Sequence, residues 1–396
     1  MKKWILGFSL LALLTAPALV SAQMPTMESL IGADIRETCP EPTNLPETVT
    51  VGSILTLTGG ASVFGVSQQR GIQLAVKEIN NSAYLGEGVT FNVIFEDSAS
   101  DNNQAIAAMT KLVEEDRVIA VIGPTLSREA FSADPIAQDA GVPVLAVSNT
   151  ANGITDMGDY IFRNSLPEAS VIPGTVAGAV SQLGITTAAI IYANDDDFTV
   201  SGANVFREAF EDNGVTVVAE ETYATGDVDF NAQLTNIIAQ NPDALAISAL
   251  AVEAVQIILQ ARAQGYEGVL MGGNGLNSPA VLQQTGADSE GLIVGAAWNI
   301  GSPNELSAAF TAAFRNEYGN LPDQFAAQAY TGAWMIASAI RCADSTAGAD
   351  VRDALAALEM ETPLGFFTFT ENRDPVHDPV VQVNRGGAFA VLGAEE

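Results

Sequence analysis

The chain has 396 residues, 48% of them hydrophobic, and a mean hydropathy of +0.22, which excludes a disordered chain and leaves room for two hydrophobic cores. Lys and Arg total 16 against 47 Asp and Glu, a formal net charge of −31. That field repels phosphate backbones and excludes nucleic acid as a partner.

Lys2-Lys3, the apolar run from Trp4 to Leu14, and Val20-Ser21-Ala22 before Gln23 read as a secretory signal peptide over residues 1–22. No later apolar run free of Gly, Pro and charge approaches the ~20 residues of a membrane helix, so the mature chain is expected to be soluble. No cysteine follows the cleavage site to carry a lipid. Lys77 and Lys111 are then the remaining lysines, a bias that reports a saline habitat more readily than an activity. Residues 23–47 are rich in Pro, Glu and Thr without sustained periodicity and read as an extended arm. Cys39 in this arm and Cys342 late in the chain either pair in an oxidising compartment or stand as two free thiols. Two cysteines and one histidine, His377, cannot assemble a zinc site of the common kinds, and no metal is expected.

From Thr48 the pattern alternates: strand Val49–Leu57, helix Ser67–Asn80, strand Thr90–Glu96, helix Asn103–Asp116, strand Val118–Ile122, helix Arg128–Ala140, strand Val144–Val147. A second round has helix Val171–Gln182, strand Ala188–Tyr192, helix Gly202–Asn213, strand Thr216–Thr222, helix Phe230–Gln240, strand Ala244–Ser248, helix Glu253–Gln264 and strand Gly268–Met271. Two α/β domains, each with a parallel sheet, follow from that alternation. Leu292–Trp298, the helices Glu305–Tyr318, Gln324–Ala343 and Asp350–Leu358, and an alternating pair Gly365–Thr370 and Val380–Val383, resembling a terminal hairpin, complete the chain.

The segment Val121–Thr150, VIGPTLSREAFSADPIAQDAGVPVLAVSNT, sets Ser127, Ser148 and Thr150 at the ends of two successive buried strands. In an open parallel sheet such ends border the ligand crevice, where helix N-termini attract an anion or zwitterion. The same segment, with VGSILTLTGGASVFGVSQQRGIQLAVKEIN (51–80), IFRN (161–164), IIYANDDDFTVSGANVFREAF (190–210), IILQARAQGYEGVLMGGNG (257–275) and QFAAQAYTGAWMIASAI (324–340), resembles the leucine/isoleucine/valine-binding family of ABC-importer receptors, the type I periplasmic binding proteins. The similarity runs over residues 48–390.

This resemblance implies an α/β fold of two Rossmann-like lobes with parallel central sheets, closing on a small ligand. Three crossovers are expected near Arg163–Pro167, Ala296–Ile300 and Leu364–Thr370, with lobe 1 formed by 48–164 plus 298–364 and lobe 2 by 165–297 plus 365–396. It further implies a monomeric periplasmic receptor that binds an amino acid or related carboxylate and passes it to a membrane permease driven by an ATPase.

Ser127 and Thr150 match the family's hydroxyl ligands to a substrate carboxylate; the plainer alternative is that they cap a helix and a turn. Ser148 matches a position whose carbonyl faces the ligand amine. Phe64 and Phe198 match flanking aromatics that are often tyrosine, and core or hinge packing is their alternative. Leu250, with Ala251, ends a strand facing the same cleft. Asn274 stands where the amino-acid binders carry an acid for the ammonium, and asparagine supplies no charge. Burying an uncompensated ammonium costs roughly 3–5 kcal/mol. Either another acid serves, with Asp195, Asp196 and Asp197 the candidates, or the ligand has no ammonium; the alternative for these acids is solvation beside a helix N-terminus. Arg128 is a possible partner for a second carboxylate, and Trp298 lines either the cleft or the hinge.

Enzyme chemistry finds no support, since the chain has no G-x-S-x-G, no G-x-x-x-x-G-K-[ST] and no G-x-G-x-x-G motif, and no cofactor is expected. A ligand-sensing module feeding a signalling receptor is the other use of such a fold.

Overall fold

The computed structural model describes residues 31–393, and the expected signal peptide lies outside the described residues. The first sheet contains β1 (Thr48–Leu55), β2 (Thr90–Asp97), β3 (Val121–Ile122), β4 (Val144–Ala146) and β5 (Ile161–Arg163), ordered β2-β1-β3-β4-β5 and parallel throughout. Apart from the edge strand β2, its strands are largely buried on both faces, as a parallel sheet between helical layers requires. A short α1 (Ala33–Thr38) precedes the sheet, and α2 (Ser62–Asn81), α3 (Asn102–Thr110) and α4 (Ser127–Ala140) connect its strands. Ile54, Val121 and Val144 pack on α3 and α4 through Met109, Ala130 and Ala133. Val51, Leu55 and Phe162 face the other layer, where Ile72 and Ile79 of α2 meet Trp334 and Ile336.

The second sheet contains β6 (Thr187–Ala193), β7 (Thr216–Tyr223), β8 (Ala244–Ser248), β9 (Val269–Gly272) and β10 (Ile293–Ala296), parallel in the order β7-β6-β8-β9-β10. Its helices are α5 (Glu168–Leu183), α6 (Asp197–Asp212), α7 (Asn231–Ala239), α8 (Ala251–Ala263) and a short α9 (Pro279–Thr285). The chain then returns to the first lobe as α10 (Glu305–Tyr318), α11 (Gln324–Ala343) and α12 (Gly348–Ala356). The long apolar α11 is buried on nearly every side, and Gly71 of α2 lets it approach closely: a Cβ there would sit 2.3 Å from the Ala326 carbonyl oxygen.

Three expectations change. Residues 23–47 are not wholly extended: α1 forms, because Ile31 and Ile35 bury beside Tyr84, and Arg36 lies over the Tyr84 ring. The expected hairpin of Gly365–Thr370 with Val380–Val383 does not form. β12 (Gly365–Phe369) pairs with β11 (Met360–Thr362) and β13 (Pro375–Val376), whereas β14 (Val380–Arg385) runs antiparallel beside β10 and hairpins with β15 (Ala388–Val391). The third crossover is displaced accordingly. Phe367 sits in the first lobe's core and Phe369 packs edge-on against Phe162, so residues 365–376 stay with the first lobe and the chain crosses between Val376 and Val380. The first two crossovers fall at residues 164–167 and 297–304, where β5 and β10 give way to α5 and α10.

Cys39 and Cys342 form a disulfide with a Cα–Cα distance of 5.0 Å, tying the segment after α1 to the C-terminal turn of α11. Among the described residues no helix is long and apolar enough to cross a membrane.

Candidate functional site

Each sheet reverses its strand order beside its first strand, between β1 and β3 in one lobe and between β6 and β8 in the other. Ligands of open α/β sheets lie outside the carboxyl ends of the strands at such switch points, and here the two points face each other. Phe64 follows β1, Thr125–Ser127 follow β3, and Ser148 and Asn149 follow β4. Across the cleft stand Asp196 and Phe198 after β6, Leu250 after β8, and Asn274 and Gly275 after β9. With Phe325 these residues enclose a cavity of about 20 Å³, the space of a water or two.

The lobes are closed on one another. Phe64, Leu126 and Phe325 of the first lobe join Leu250, Leu276 and Val281 of the second in one apolar cluster, with the Phe64 and Phe325 rings 4.5 Å apart. Phe64 reaches the cleft because α2 begins five residues before the expected Ser67. Gly65 permits that early start: a Cβ would lie 2.2 Å from the Thr56 carbonyl oxygen at the end of β1. A wider groove of about 700 Å³ runs beside the site between α2 and α9. Trp298 borders it, but its indole donates to Ser307 Oγ over 2.9 Å and packs on Phe310, so it is hinge packing rather than a wall of the small cavity.

The hydroxyls are arranged by tertiary contacts. Ser127 is the first residue of α4 rather than its N-cap, a position held by Leu126. Its Oγ accepts from Thr150 N and Ala151 N, both at 3.2 Å, and its own proton has no acceptor among the described residues. Thr150 does not line the cavity; it lies one layer behind, its Oγ1 donating to Glu168 Oε1 at 3.2 Å. Ser148 Oγ donates to the Thr125 carbonyl oxygen at 2.6 Å. Arg163, 2% exposed, anchors this loop: Nη1 holds the Ala151 carbonyl oxygen at 2.7 Å while Nε pairs with Asp374 at 2.5 Å.

The acids part company. Asp195 and Asp197 face solvent, and Asp195 is tied to Thr225. Asp196 is buried on the cavity wall but committed twice: it caps α6 by accepting from Thr199 N, and it pairs with Arg128 of the opposite lobe at 3.2 Å. Burial raises its pKa, with Thr199 N and Arg128 pulling the other way. Arg128 is thereby an interlobe partner, holding the Ser100 carbonyl oxygen as well.

Asn274 is also taken up by the protein. Its Nδ2 donates to the Ser148 carbonyl oxygen at 2.9 Å, and its Oδ1 accepts from Gln324 Nε2 at 2.6 Å. Gln324 in turn accepts from Asn277 Nδ2 and Ala297 N, so a chain of amides joins α11 to the second lobe.

Sequence reasoning missed Glu168, Arg163, Gln324 and Phe325. Glu168 had a signal: it is the only charged residue between Arg163 and Asp195, and a lone acid in an apolar stretch needs a reason. The other three had none, because their partners lie far away in sequence.

The chain matches the family model described as periplasmic binding protein over residues 48–388. It is 27% identical to the leucine-, isoleucine-, valine-, threonine- and alanine-binding protein of Pseudomonas aeruginosa, covering 83% of this chain and 87% of that one. Among solved structures it is similar to LivJ of Streptococcus pneumoniae in complex with isoleucine, at 28% identity and a TM-score of 0.80, covering 87% of this chain and 98% of that one. It is also similar to the leucine-binding protein LivK of Thermotoga maritima, at 25% identity and a TM-score of 0.81, covering 87% and 97%. The two parallel-sheet lobes thus have the type I architecture, and the relatives are solute receptors rather than enzymes. The chain belongs to the periplasmic binding protein family and is a substrate-binding protein of the ABC-transporter kind.

Proposed function

We propose that this protein is an exported receptor of an ABC importer that captures a branched-chain or other apolar amino acid by closure of its two lobes. The observation that carries the reading is the pairing of polarity across one small cavity. Ser127 offers a free hydroxyl proton at the start of a helix, where a carboxylate is favoured, and Phe64, Phe198, Leu250 and Phe325 supply apolar walls. At about 20 Å³ the closed cavity is smaller than any amino acid side chain of this class, so the ligand enters the open form and its contacts set the degree of closure. The receptor acts as a periplasmic monomer after removal of residues 1–22, and a membrane permease reads the closed form.

A second reading, a carboxylate or amide without an ammonium, is favoured by one feature: the only acid on the cavity wall, Asp196, is already paired with Arg128. Calorimetric titration with leucine, isoleucine, valine and their keto-acid analogues separates the two. Binding of the amino acids is expected; silence towards all of them, with binding of a keto acid, selects the second reading. Ser127→Ala is expected to remove about 1.5–3 kcal/mol of binding free energy, and unchanged affinity would take this residue out of the site.

A further inference from the structure

We propose that Gln324, Asn277, Gln382 and Asn299 are positioning residues for lobe closure: with Asn274 they form a one-way relay of side-chain amides that fastens the second crossover to the cleft and locks the lobes together. The relay serves closure on whatever ligand the cleft takes, a step beyond the function proposed above.

It starts in the second crossover. Asn299 Nδ2 donates to Gln382 Oε1 at 2.7 Å, Gln382 Nε2 to Asn277 Oδ1 at 2.5 Å, and Asn277 Nδ2 to Gln324 Oε1 at 2.7 Å. Gln324 Nε2 continues the pattern to Asn274 Oδ1 at 2.6 Å, and Asn274 Nδ2 ends it on the Ser148 carbonyl oxygen at 2.9 Å. Gln382 lies on β14 opposite Val294 of β10, within the second lobe's sheet. Asn277 lies between β9 and α9 of the same lobe, whereas Gln324 opens α11 of the first. The bonds from Asn277 to Gln324, from Gln324 to Asn274 and from Asn274 to Ser148 therefore each cross from one lobe to the other.

Backbone groups, which cannot exchange donor for acceptor, fix the direction. Gly301 N donates to Asn299 Oδ1 at 2.8 Å, Ala297 N and Trp298 N donate to Gln324 Oε1 at 2.6 and 3.3 Å, and the Ser148 carbonyl accepts from Asn274. The side chains of Asn277 and Gln382 bond to other members of the relay, so their orientation follows from their neighbours. Turning either one over would set oxygen against oxygen on one side and NH2 against NH2 on the other. A break at Gln382 is thus felt at the bonds between the lobes.

Burial makes that order costly to lose. Asn277, Gln324, Gln382 and Asn299 are 4%, 3%, 1% and 6% exposed, and a buried amide without its partner carries its full desolvation penalty. None of the four lines the small cavity, where Asn274 stands for the relay, so they act on the cleft through it. They border instead the wider groove between α2 and α9. That groove admits water once the lobes part, and the amides exchange their partners for solvent on opening and recover them together on closing.

Small-angle X-ray scattering of the ligand-free mature protein reads closure, and urea unfolding reads the fold. Gln382→Met removes the central link at nearly constant length and is expected to enlarge the radius of gyration. Asn277→Ala, on a loop, is expected to do the same and carries the test if Gln382→Met does not fold. Asn384→Leu is the control. Asn384 lies two residues further along β14, is as fully buried and bonds to Ser289 and Gly387 outside the relay, so its loss is expected to lower the urea midpoint without enlarging the radius. A wild-type radius in either relay variant overturns the proposal. So does an equal enlargement in Asn384→Leu, which would make the effect a general loosening of β14.

Discussion

Asn274 spans the closed cleft: its Nδ2 donates to the Ser148 carbonyl oxygen over 2.9 Å, from the end of β9 in one lobe to the end of β4 in the other. The side-chain amide thus occupies the carbonyl that an amine would be expected to use. Restoring an acid here is predicted to be harmful. In Asn274→Asp a carboxylate oxygen would face the Ser148 carbonyl without a proton between them, while the other oxygen keeps Gln324. Closure is expected to weaken by about 1–3 kcal/mol, read as a larger radius of gyration of the ligand-free variant by small-angle X-ray scattering. An unchanged radius would show that this bond does not hold the lobes.

Arg128 and Asp196 form a further polar tie between the lobes, with side chains 16% and 2% exposed. Arg128→Ala leaves Asp196 buried without its counter-charge only while the lobes are closed, so opening relieves the penalty. The expected outcome is a shift towards the open form and about tenfold weaker ligand binding. Asp196→Asn, which retains the cap on α6, is expected to couple non-additively with it in a double-mutant cycle.

The disulfide acts elsewhere. Cys342 sits in the last turn of the 20-residue α11, whose first residue, Gln324, touches the cleft network; that separates bridge and site by ~30 Å. Replacing both cysteines by serine is predicted to lower stability by about 2–5 kcal/mol, measured by urea unfolding, with ligand affinity unchanged. A loss of affinity of the same size would mean that the arm reaches the hinge.

Glu129, in the first turn of α4, is buried with Oε1 unpartnered and Oε2 accepting from Leu126 N, and burial lifts its pKa to about 7 against the opposing bond from Leu126 N and the charge of Arg128. A carboxyl raised in the fold makes the native state bind more protons than the unfolded chain between about 4.5 and 7. Its contribution is therefore complete below the unfolded pKa and lost as pH rises through 7, by up to roughly 3 kcal/mol. Glu129→Gln is expected to flatten this part of the stability profile: the urea midpoint of the wild type should fall relative to the variant between pH 4.5 and 7.5. Parallel profiles would rule Glu129 out as the titrating group.

Local pattern carried much of the fold. Ala244–Ser248, Glu305–Tyr318 and Gln324–Ala343 form over the residues that periodicity predicts, because the first and last are apolar runs and Glu305–Tyr318 is an amphipathic one with Asn304 and Gly319 as its caps. Errors gathered where pairing is non-local. Gly365–Phe369 and Val380–Arg385 both read as strands, yet their partners are β11 and β13 in one case and β10 and β15 in the other, and alternation says nothing of which edge a strand will join.

By itself the sequence determined the alternating α/β order, the two lobes, and the placing of Ser127, Ser148 and Thr150 at strand ends that ligands approach. Only the tertiary structure decided what those groups offer. Ser127 keeps a proton because Thr150 N and Ala151 N fill its lone pairs, and Thr150 loses its proton because Glu168 is buried behind it. Hydrogen-bond direction and desolvation depend on which distant segments are brought together, and a one-dimensional pattern of residue types does not contain that information.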